Sequence, residues 1–208
     1  MQKLDLKKTL KPYYDAKPAP TFVEVPAMNF LMVDGAGNPN TSADYAEVLQ
    51  ALYSVAYTLK FKVKKEMAID YPVMALEGLW WGEDMNLFSA EKKDDWLWTM
   101  MISTPDVITL ELVETAKTEA GRKKPLAVLP RLRFESFTEG LSAQLMHIGP
   151  YSAETENIRR LHDFIHANGY AFDGKTQKHH EIYLSDPRRS KPEKMKTIIR
   201  QPVRNGSN

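Results

Sequence analysis

The sequence contains no cysteine among its 208 residues. Disulfide bonds, thiolate metal sites and cysteine nucleophiles are therefore excluded, and the absence suits a reducing compartment. Neither sign of charge is in excess, because 28 basic residues oppose 27 acidic ones and leave a net charge of +1. Global electrostatic attraction to nucleic acid or to anionic lipid is correspondingly weak.

Long hydrophobic runs are also missing. No window approaches the roughly 20 apolar residues of a membrane span, and charged residues occupy segment 1–8, where a signal peptide needs an apolar core. These absences predict a cytoplasmic protein without a membrane contact. A hydrophobic content of 43% is ordinary for a globular protein of this length, so we expect a substantial core.

Two apolar, aromatic-rich segments each contain one glutamate. Glu77 lies in the segment Val73–Trp81, and Glu181 lies in the segment His179–Leu184. A carboxylate in an apolar strand is costly to bury unless its surroundings compensate for the lost water. The pattern predicts a small-molecule pocket with aromatic walls and one or two acids at its floor.

The chain divides into an N-terminal arm and one domain. The arm covers residues 1–20 and is rich in lysine and proline, and the domain covers 21–204. Within the domain two pseudo-repeats, at about 21–103 and 141–204, each read strand, helix, strand, strand. An additional helix is inserted at about 105–124, starting directly after Thr104 with Pro105 in its first turn.

This order predicts an α+β fold. Tandem strand–helix–strand–strand repeats share one antiparallel sheet, with helices on one side and a central ligand groove between the repeats. The helix of the first repeat is predicted to begin at Thr41 or Ser42, and that of the second to run from Ser152 to about Asn168.

Several ordered motifs resemble the GyrI-like small-molecule-binding family. They are Asp34-Gly-Ala-Gly-Asn-Pro-Asn40, Leu76-Glu-Gly-Leu-Trp80, Gly149-Pro-Tyr151, Glu181-Ile-Tyr-Leu-Ser-Asp-Pro187 and Lys196-Thr-Ile-Ile-Arg-Gln-Pro-Val203. The likeness extends from about residue 5 to residue 204. It is strongest to a stand-alone branch with the lysine-rich arm and the inserted helix.

The resemblance implies an SHS2-like tandem fold and a concave pocket for planar aromatic or cationic compounds, with an acidic residue inside. Related modules are effector domains of multidrug-sensing regulators. Some stand-alone members are hydrolases that open the cyclopropane ring of DNA-alkylating antibiotics, and another branch is described as gyrase inhibitors. The arm before Pro26 is too short and proline-broken for a helix-turn-helix, so we expect no direct contact with nucleic acid.

Glu181 is the first candidate for a catalytic residue. Strand alternation places His179, Glu181 and Tyr183 on one face. In a pocket, desolvation would raise the pKa of Glu181 and make it a base near neutral pH. The alternative is a surface carboxylate paired with a lysine.

Two tyrosines complete the candidate catalytic set. Tyr151 follows Gly149-Pro150 at a strand-to-helix turn, and Tyr183 shares the face of Glu181. A positioned tyrosine hydroxyl can donate a hydrogen bond to a developing oxyanion. The alternative for Tyr151 is simple packing over the start of the helix.

Four further residues are candidate ligand contacts. Glu77 aligns with Glu181 in the repeat, although it could equally accept hydrogen bonds from the backbone near Gly78. Among the four tryptophans, Trp81 and Trp98 are the predicted aromatic walls, because ring faces suit flat ligands and cations. His147 lies on a strand that could reach the pocket, although a lone strand histidine is more often structural.

No metal or cofactor is expected. The segment His179-His180-Glu181 contains metal-binding residue types, but neighbouring strand residues point to opposite faces and no His-Glu-x-x-His motif is present. The basic stretch 188–204 lacks interleaved aromatic residues and is interpreted as solvated.

Three functions remain open on this basis. The first is a cofactor-free hydrolase acting on strained, electrophilic aromatic molecules such as cyclopropanoid xenobiotics. The second is a module that binds or sequesters lipophilic cations without turnover. The third is an inhibitor directed at a protein such as a topoisomerase, for which the sequence offers no distinct docking surface.

Overall fold

The computed structural model describes residues 1–85 and 92–206. The strands in these residues are β1 (Gln2–Lys3), β2 (Thr21–Ala36), β3 (Ile69–Asp70), β4 (Leu76–Gly82), β5 (Trp96–Thr104), β6 (Arg133–Ile148), β7 (Tyr170–Ala171), β8 (His179–Tyr183), β9 (Lys196–Pro202) and β10 (Arg204–Asn205). The α-helices are α1 (Leu6–Thr9), α2 (Lys11–Tyr14), α3 (Ala43–Met67), α4 (Leu110–Lys123) and α5 (Thr155–Ala167).

The main sheet is antiparallel and closes on itself. Its strand order is β2-β5-β4-β8-β9-β6, and β6 pairs again with β2. Closure is possible because β2 and β6 are each 16 residues long, so that each strand reaches two neighbours. The order β2-α3-β4-β5 followed by β6-α5-β8-β9 confirms the predicted α+β class with two strand–helix–strand–strand units.

A single registered row of residues runs across the helix-covered face of this sheet. The row, which we call the central row, is formed by Val33, Met100, Gly78, Glu181, Ile199 and Leu145. Helix α3 buries Val48, Leu52 and Leu59 in the core cluster that contains Val33 and Met100. Helix α5 buries Leu161 and Ile165 against Leu145 and Ile199. Glu181 is the charged member of the row and lies between the two helix-covered areas.

Helices α3 and α4 each begin at a residue whose side chain caps the first turn. Helix α3 begins as predicted, because the Ser42 side chain accepts a hydrogen bond from the Tyr45 backbone at 3.2 Å. Helix α4 begins later than predicted. The Pro105 carbonyl closes a turn with Ile108, and Thr109 then caps the helix through the Leu112 N–H.

Helix α5 also begins later than predicted. The segment Tyr151–Ala153 forms a single 3-10 turn, so that the helix starts at Thr155 instead of Ser152. The turn matters for function, because it sets the positions of Tyr151 and Glu154 at the mouth and wall of the site described below.

The other face of the sheet contains a buried ion network. This inner charge cluster consists of Glu77, Glu139, His180 and Arg200, whose side chains are between 0% and 2% exposed. His180 lies 2.8 Å from Glu139 and 3.1 Å from Glu77, and Arg200 donates to Glu139 at 2.9 Å. Two acids and two bases therefore compensate each other inside the sheet.

The protonation states in the inner charge cluster follow from these contacts. Burial lowers the pKa of His180, but the charge of Glu139 and the contacts with Glu139 and Glu77 outweigh it and raise that pKa to about 9. Burial raises the pKa of Glu139, but His180 and Arg200 outweigh it and hold that pKa at about 2. His180 and Glu139 are consequently both charged throughout the physiological pH range.

The N-terminal arm closes the inner charge cluster. The Tyr14 hydroxyl donates to Glu77 at 2.5 Å, and Arg200 donates to the Tyr13 carbonyl. The Met146 N–H donates to the Lys17 carbonyl at 2.7 Å, and β1 pairs in parallel with β3. The arm is thus part of the folded core. Among the helices of the described ranges, none is long and apolar enough to cross a membrane.

The Tyr14 contact with the inner charge cluster is a testable source of stability. We expect Tyr14→Phe to lower the free energy of unfolding by roughly 1–3 kcal/mol, because a buried carboxylate oxygen loses its donor. Urea unfolding of the variant measures this change. Tyr57→Phe serves as the control, since Tyr57 is 46% exposed and the substitution should be neutral. Equal stability of both variants would show that the arm contributes nothing through Tyr14.

Candidate functional site

A large cavity lies above the central row, between helices α3 and α5. Its volume is about 1720 Å³. The floor is formed by Trp80, Glu181 and Tyr183 on the sheet. The walls include Tyr45 and Tyr53 from α3, Trp96 from β5, and Tyr151, Glu154 and Ile158 from the second unit. The position at the junction of the two units agrees with the usual location of ligand sites.

Glu181 is held by its two neighbours along β8. His179 Nε2 lies 3.1 Å from Glu181 Oε1, and the Tyr183 hydroxyl donates to Glu181 Oε2 at 2.7 Å. Burial raises the pKa of Glu181, but the hydrogen bonds from His179 and Tyr183 outweigh it, so that the pKa lies below the ordinary value. Glu181 is therefore ionised at neutral pH and has a fixed orientation.

The tyrosine that holds Glu181 is itself fixed by Trp80. The Trp80 indole N–H donates to the Tyr183 hydroxyl at 3.0 Å. The Trp80 ring needs the space above Gly78, where a Cβ atom would lie 2.7 Å from Trp80 Nε1. Gly78 also faces Glu181 across the strands, so the absence of a side chain leaves the carboxylate open to the cavity.

A second carboxyl lies beside Glu181. Glu154 follows the 3-10 turn before α5 and is 5% exposed. Burial, and next the negative charge of Glu181, raise the pKa of Glu154 to about 9. Within the described ranges its Oε1 atom has no hydrogen-bond partner. At neutral pH the pair therefore consists of an ionised Glu181 and a protonated Glu154, with one negative charge in total.

Tyr151 lies at the mouth of the cavity and is 40% exposed. Its ring contacts the Tyr183 ring edge to face, with centroids 5.6 Å apart. Burial, and next the charges of Glu154 and Glu181, raise the pKa of Tyr151 to about 12, so the phenol is protonated at neutral pH. Among the residues that the structure describes, none forms a hydrogen bond with this hydroxyl, which is available to a ligand.

The two tryptophans predicted to line the pocket, Trp81 and Trp98, do not line this cavity. Trp81 points to the face opposite the cavity, where Lys178 lies 3.4 Å from the ring centroid. Trp98 is fully buried beneath Tyr45, with its indole N–H bound to the Gly37 carbonyl. Trp80 and Trp96 line the cavity in their place and contact each other edge to face at 5.4 Å.

Two further predicted contacts, Glu77 and His147, also lie outside the cavity wall. Glu77 pairs in register with Ile182, on the face opposite Glu181, and belongs to the inner charge cluster. His147 is 2% exposed and bridges the Asn157 side chain at 2.8 Å and the Pro150 carbonyl at 3.2 Å. His147 therefore holds the turn that carries Tyr151 and is not among the residues that line this cavity.

Sequence reasoning missed Glu154 and the aromatic side chains of α3. Glu154 is one of two acids at the start of α5, and an acid there is common because it interacts favourably with the helix dipole. The sequence does not distinguish the two acids, but in the folded chain Glu154 is buried and Glu156 is exposed. Tyr45 and Tyr53 could have been found from the helical spacing, since both lie on the same face of α3 as its buried apolar residues.

Metal ligation is not supported by the arrangement of the described side chains. No group of three or more histidine or acidic residues is close enough to hold an ion in residues 1–85 and 92–206. His179 faces the cavity side and His180 faces the inner charge cluster, so the two cannot share one ion.

The fold and the cavity define a class of protein. A closed antiparallel sheet of two strand–helix–strand–strand units, with an acidic and aromatic cavity between its helices, is a small-molecule-binding module. The chain belongs to the family of GyrI-like small-molecule-binding domains, whose family model matches residues 18–204.

Solved structures support this assignment. An uncharacterised conserved protein from Listeria innocua is 43% identical and superposes with a TM-score of 0.90, over 97% of this chain and 100% of its own. A hydrolase from Listeria innocua is 42% identical, with a TM-score of 0.85 over 97% of this chain and 100% of its own.

More distant similarity concerns the fold alone. The C-terminal domain of EcmrR is 12% identical, with a TM-score of 0.56 over 89% of this chain and 97% of its own. Among curated proteins, none matches the chain.

The carboxyl pair predicts a specific pH dependence of stability. The pKa of Glu154 is about 9 in the folded chain and close to its ordinary value of 4.5 when unfolded. Between these values the folded state binds one proton more, so stability falls as pH rises, by up to about 1.4 kcal/mol per pH unit.

We expect Glu154→Gln to remove this proton uptake. The variant should melt at a higher temperature than the wild type at pH 8 and at a similar temperature at pH 4, measured by calorimetry. Glu156→Gln is the matched control, because Glu156 is exposed on the same helix. A Glu154→Gln melting temperature that follows the wild type at every pH would contradict the assigned protonation state.

Proposed function

We propose that this protein is a cofactor-free hydrolase of electrophilic, planar aromatic small molecules, with cyclopropanoid xenobiotics as the substrate class. The observation that carries the proposal is a pair of unequal carboxyls in an aromatic cavity, Glu181 on the floor and Glu154 on the wall. Glu181 is ionised and can act as a base, while Glu154 is protonated and can act as an acid. Unequal pKa values in neighbouring acids are a frequent property of hydrolytic sites.

The proposed reaction adds water across the strained ring. Glu181 takes a proton from a water molecule, and the water oxygen forms a bond to a ring carbon. The strained carbon–carbon bond breaks, and its electron pair moves to the conjugated carbonyl oxygen, which takes the proton of Glu154. Transfer of a proton from Glu181 to Glu154 then restores both groups. Holding water and electrophile in register provides a large part of the acceleration.

The two tyrosines have different roles in this proposal. The Tyr183 hydroxyl donates to Glu181 and accepts from Trp80, so its proton is already used. Tyr183 is therefore a positioning residue for the base. Tyr151, which lines the same cavity, is the phenol that can donate to the developing oxyanion. Trp80 and Trp96 provide flat surfaces for the substrate ring system.

The similarity to proteins of known fold supports the hydrolytic interpretation. The Listeria innocua protein described as a hydrolase shares 42% of its residues with this chain. The family resemblance contributes the substrate class, because stand-alone members include hydrolases of cyclopropane-bearing alkylators.

A second candidate function is binding of lipophilic cations without turnover. The observation that favours it is the single negative charge of the carboxyl pair below a ring of aromatic faces, an arrangement that suits one monovalent cation. The two functions differ in the fate of the ligand, which is converted in the first case and recovered unchanged in the second.

Loss of the base should abolish turnover. We expect Glu181→Gln to reduce the hydrolysis of a spirocyclopropyl-cyclohexadienone by about 10²–10⁴-fold, because general-base assistance contributes on that order. Product is measured by mass spectrometry. Glu24→Gln is the control, since Glu24 is exposed on β2 away from the cavity. Unchanged turnover by a folded Glu181→Gln variant would remove Glu181 from the chemistry, and intact substrate with wild-type protein would favour the binding module.

The acid should determine the alkaline limit of activity. Because the pKa of Glu154 is about 9, we expect hydrolysis by the wild type to decline as pH rises through that value. Glu154→Gln should be slower at pH 7 and should lack the alkaline decline. Rates measured between pH 6 and pH 10 test this, and an identical decline in both proteins would assign the limit to another group.

A further inference from the structure

Three aromatic side chains form a row along helix α3 that is partly buried at Tyr53 and exposed at Tyr57 and Phe61. Tyr53, Tyr57 and Phe61, which we call the aromatic ladder, are spaced four residues apart and lie one turn above another. Their ring centroids are 6.4 and 6.3 Å apart, and neighbouring planes are inclined by only 28° and 25°. Tyr57 is 46% exposed and Phe61 is 60% exposed. Large apolar side chains rarely remain uncovered in a row unless something binds them.

The aromatic ladder continues the cavity of the proposed active site. All three side chains line the same cavity as Glu181 and Tyr183. Tyr53 is the first side chain of the ladder and lines the cavity together with Glu181 and Tyr151. The loop Ser185–Arg189 forms part of the facing wall. A ligand can therefore extend from the floor along α3 without leaving the cavity.

The dimensions of the cavity favour an elongated ligand. A volume of about 1720 Å³ is larger than the roughly 300–1,000 Å³ that usually encloses one drug-sized molecule. The ladder extends for about 12 Å along the helix, since eight residues rise by 1.5 Å each. A molecule that occupied only the acidic floor would leave the ladder in water.

The distribution of charge gives the ligand a direction. The negative charge of the cavity floor is at Glu181, whereas the far end of the ladder is bordered by Lys62, Lys65 and Lys123 against Glu66 and Glu119. Lys62 is already paired with both glutamates, at 2.9 and 3.0 Å. A positive group is consequently favoured at the Glu181 end, whereas the far end, with three lysines against two glutamates, does not attract one.

We propose that the aromatic ladder is a second binding subsite, which accepts the uncharged aromatic extension of a linear polyaromatic ligand whose cationic or electrophilic end lies at Glu181. The proposal rests on the function proposed above and adds a length requirement. Short ligands use the floor alone, and long rigid ligands gain affinity by offset stacking on Tyr57 and Phe61.

Two probes with the same cationic head separate the subsites. N-methyl-4-phenylpyridinium reaches the floor only, and N-methyl-4-(p-terphenyl)pyridinium extends over the ladder. Binding is measured by quenching of tryptophan fluorescence, since Trp80 and Trp96 line the cavity. We expect Tyr57→Ala and Phe61→Ala each to weaken the terphenyl probe about tenfold and to change the phenyl probe by less than about twofold.

Two control variants complete the experiment. Leu110→Ala removes an exposed apolar side chain of matched exposure, 59% against 60% for Phe61, and should affect neither probe. Glu181→Gln should weaken both probes. Equal losses for the two probes in the ladder variants, or no loss for either, would overturn the ladder subsite. So would a wild-type dimer that the ladder variants dissociate, since a second copy would then cover the row.

The two proposals fail in different ways. If the phenyl probe binds the wild type and the Glu181→Gln variant equally well, the role of Glu181 is rejected. The ladder subsite is then decided by whether the ladder variants weaken the terphenyl probe more than the phenyl probe. Absence of binding by both probes would reject the cationic ligand and the ladder subsite together, while hydrolysis of the spirocyclopropyl-cyclohexadienone would still test the enzymatic function.

Discussion

The alternation of side chains along β8 is the constraint on which the rest of the structure depends. His179, Glu181 and Tyr183 lie on the cavity face of the sheet, whereas His180 points between Glu77 and Glu139 on the other face. Neighbouring residues of β8 thus belong to two different buried groups of charges, one on each face of the sheet. A slip of β8 by one residue would place Glu181 among the acids of the inner charge cluster and His180 in the cavity, so both faces enforce the same register.

The inner charge cluster gives this register its specificity. Buried ions are poor sources of net stability, but an ion that loses its partner inside a protein is strongly unfavourable. A one-residue shift of β8 against β4 and β9 would separate His180 from Glu139 and from Glu77. The arm contributes to the same selection, because its carbonyl and hydroxyl groups satisfy Arg200 and Glu77. The geometry of the cavity is therefore maintained from the opposite side of the sheet.

The sequence predicted the class of the fold and part of the site. Periodicity and capping residues identified α3 and the strands, and alternation correctly grouped Glu181 with His179 and Tyr183. The choice between Trp80 and Trp81 depended on which face of β4 lies beside Glu181. The repeat alignment placed Glu77 and Trp81 on that face, but Glu181 pairs with Gly78, so Trp80 lies on the cavity side. The closure of the sheet and the burial of Glu154 arise from contacts between distant segments, and no local pattern reports them.

The cavity combines one ionised and one neutral carboxyl, and this combination has a consequence for what it can bind. A single buried carboxylate attracts a cation but cannot return a proton, and two ionised carboxylates would repel each other. The pair in this protein has one proton, which burial and the charge of Glu181 keep on Glu154. A ligand that carries a positive charge and a basic oxygen can therefore be attracted by one group and protonated by the other. Under the proposed function the aromatic walls would select for a flat shape, so that different side chains of one cavity would recognise charge, proton and planarity.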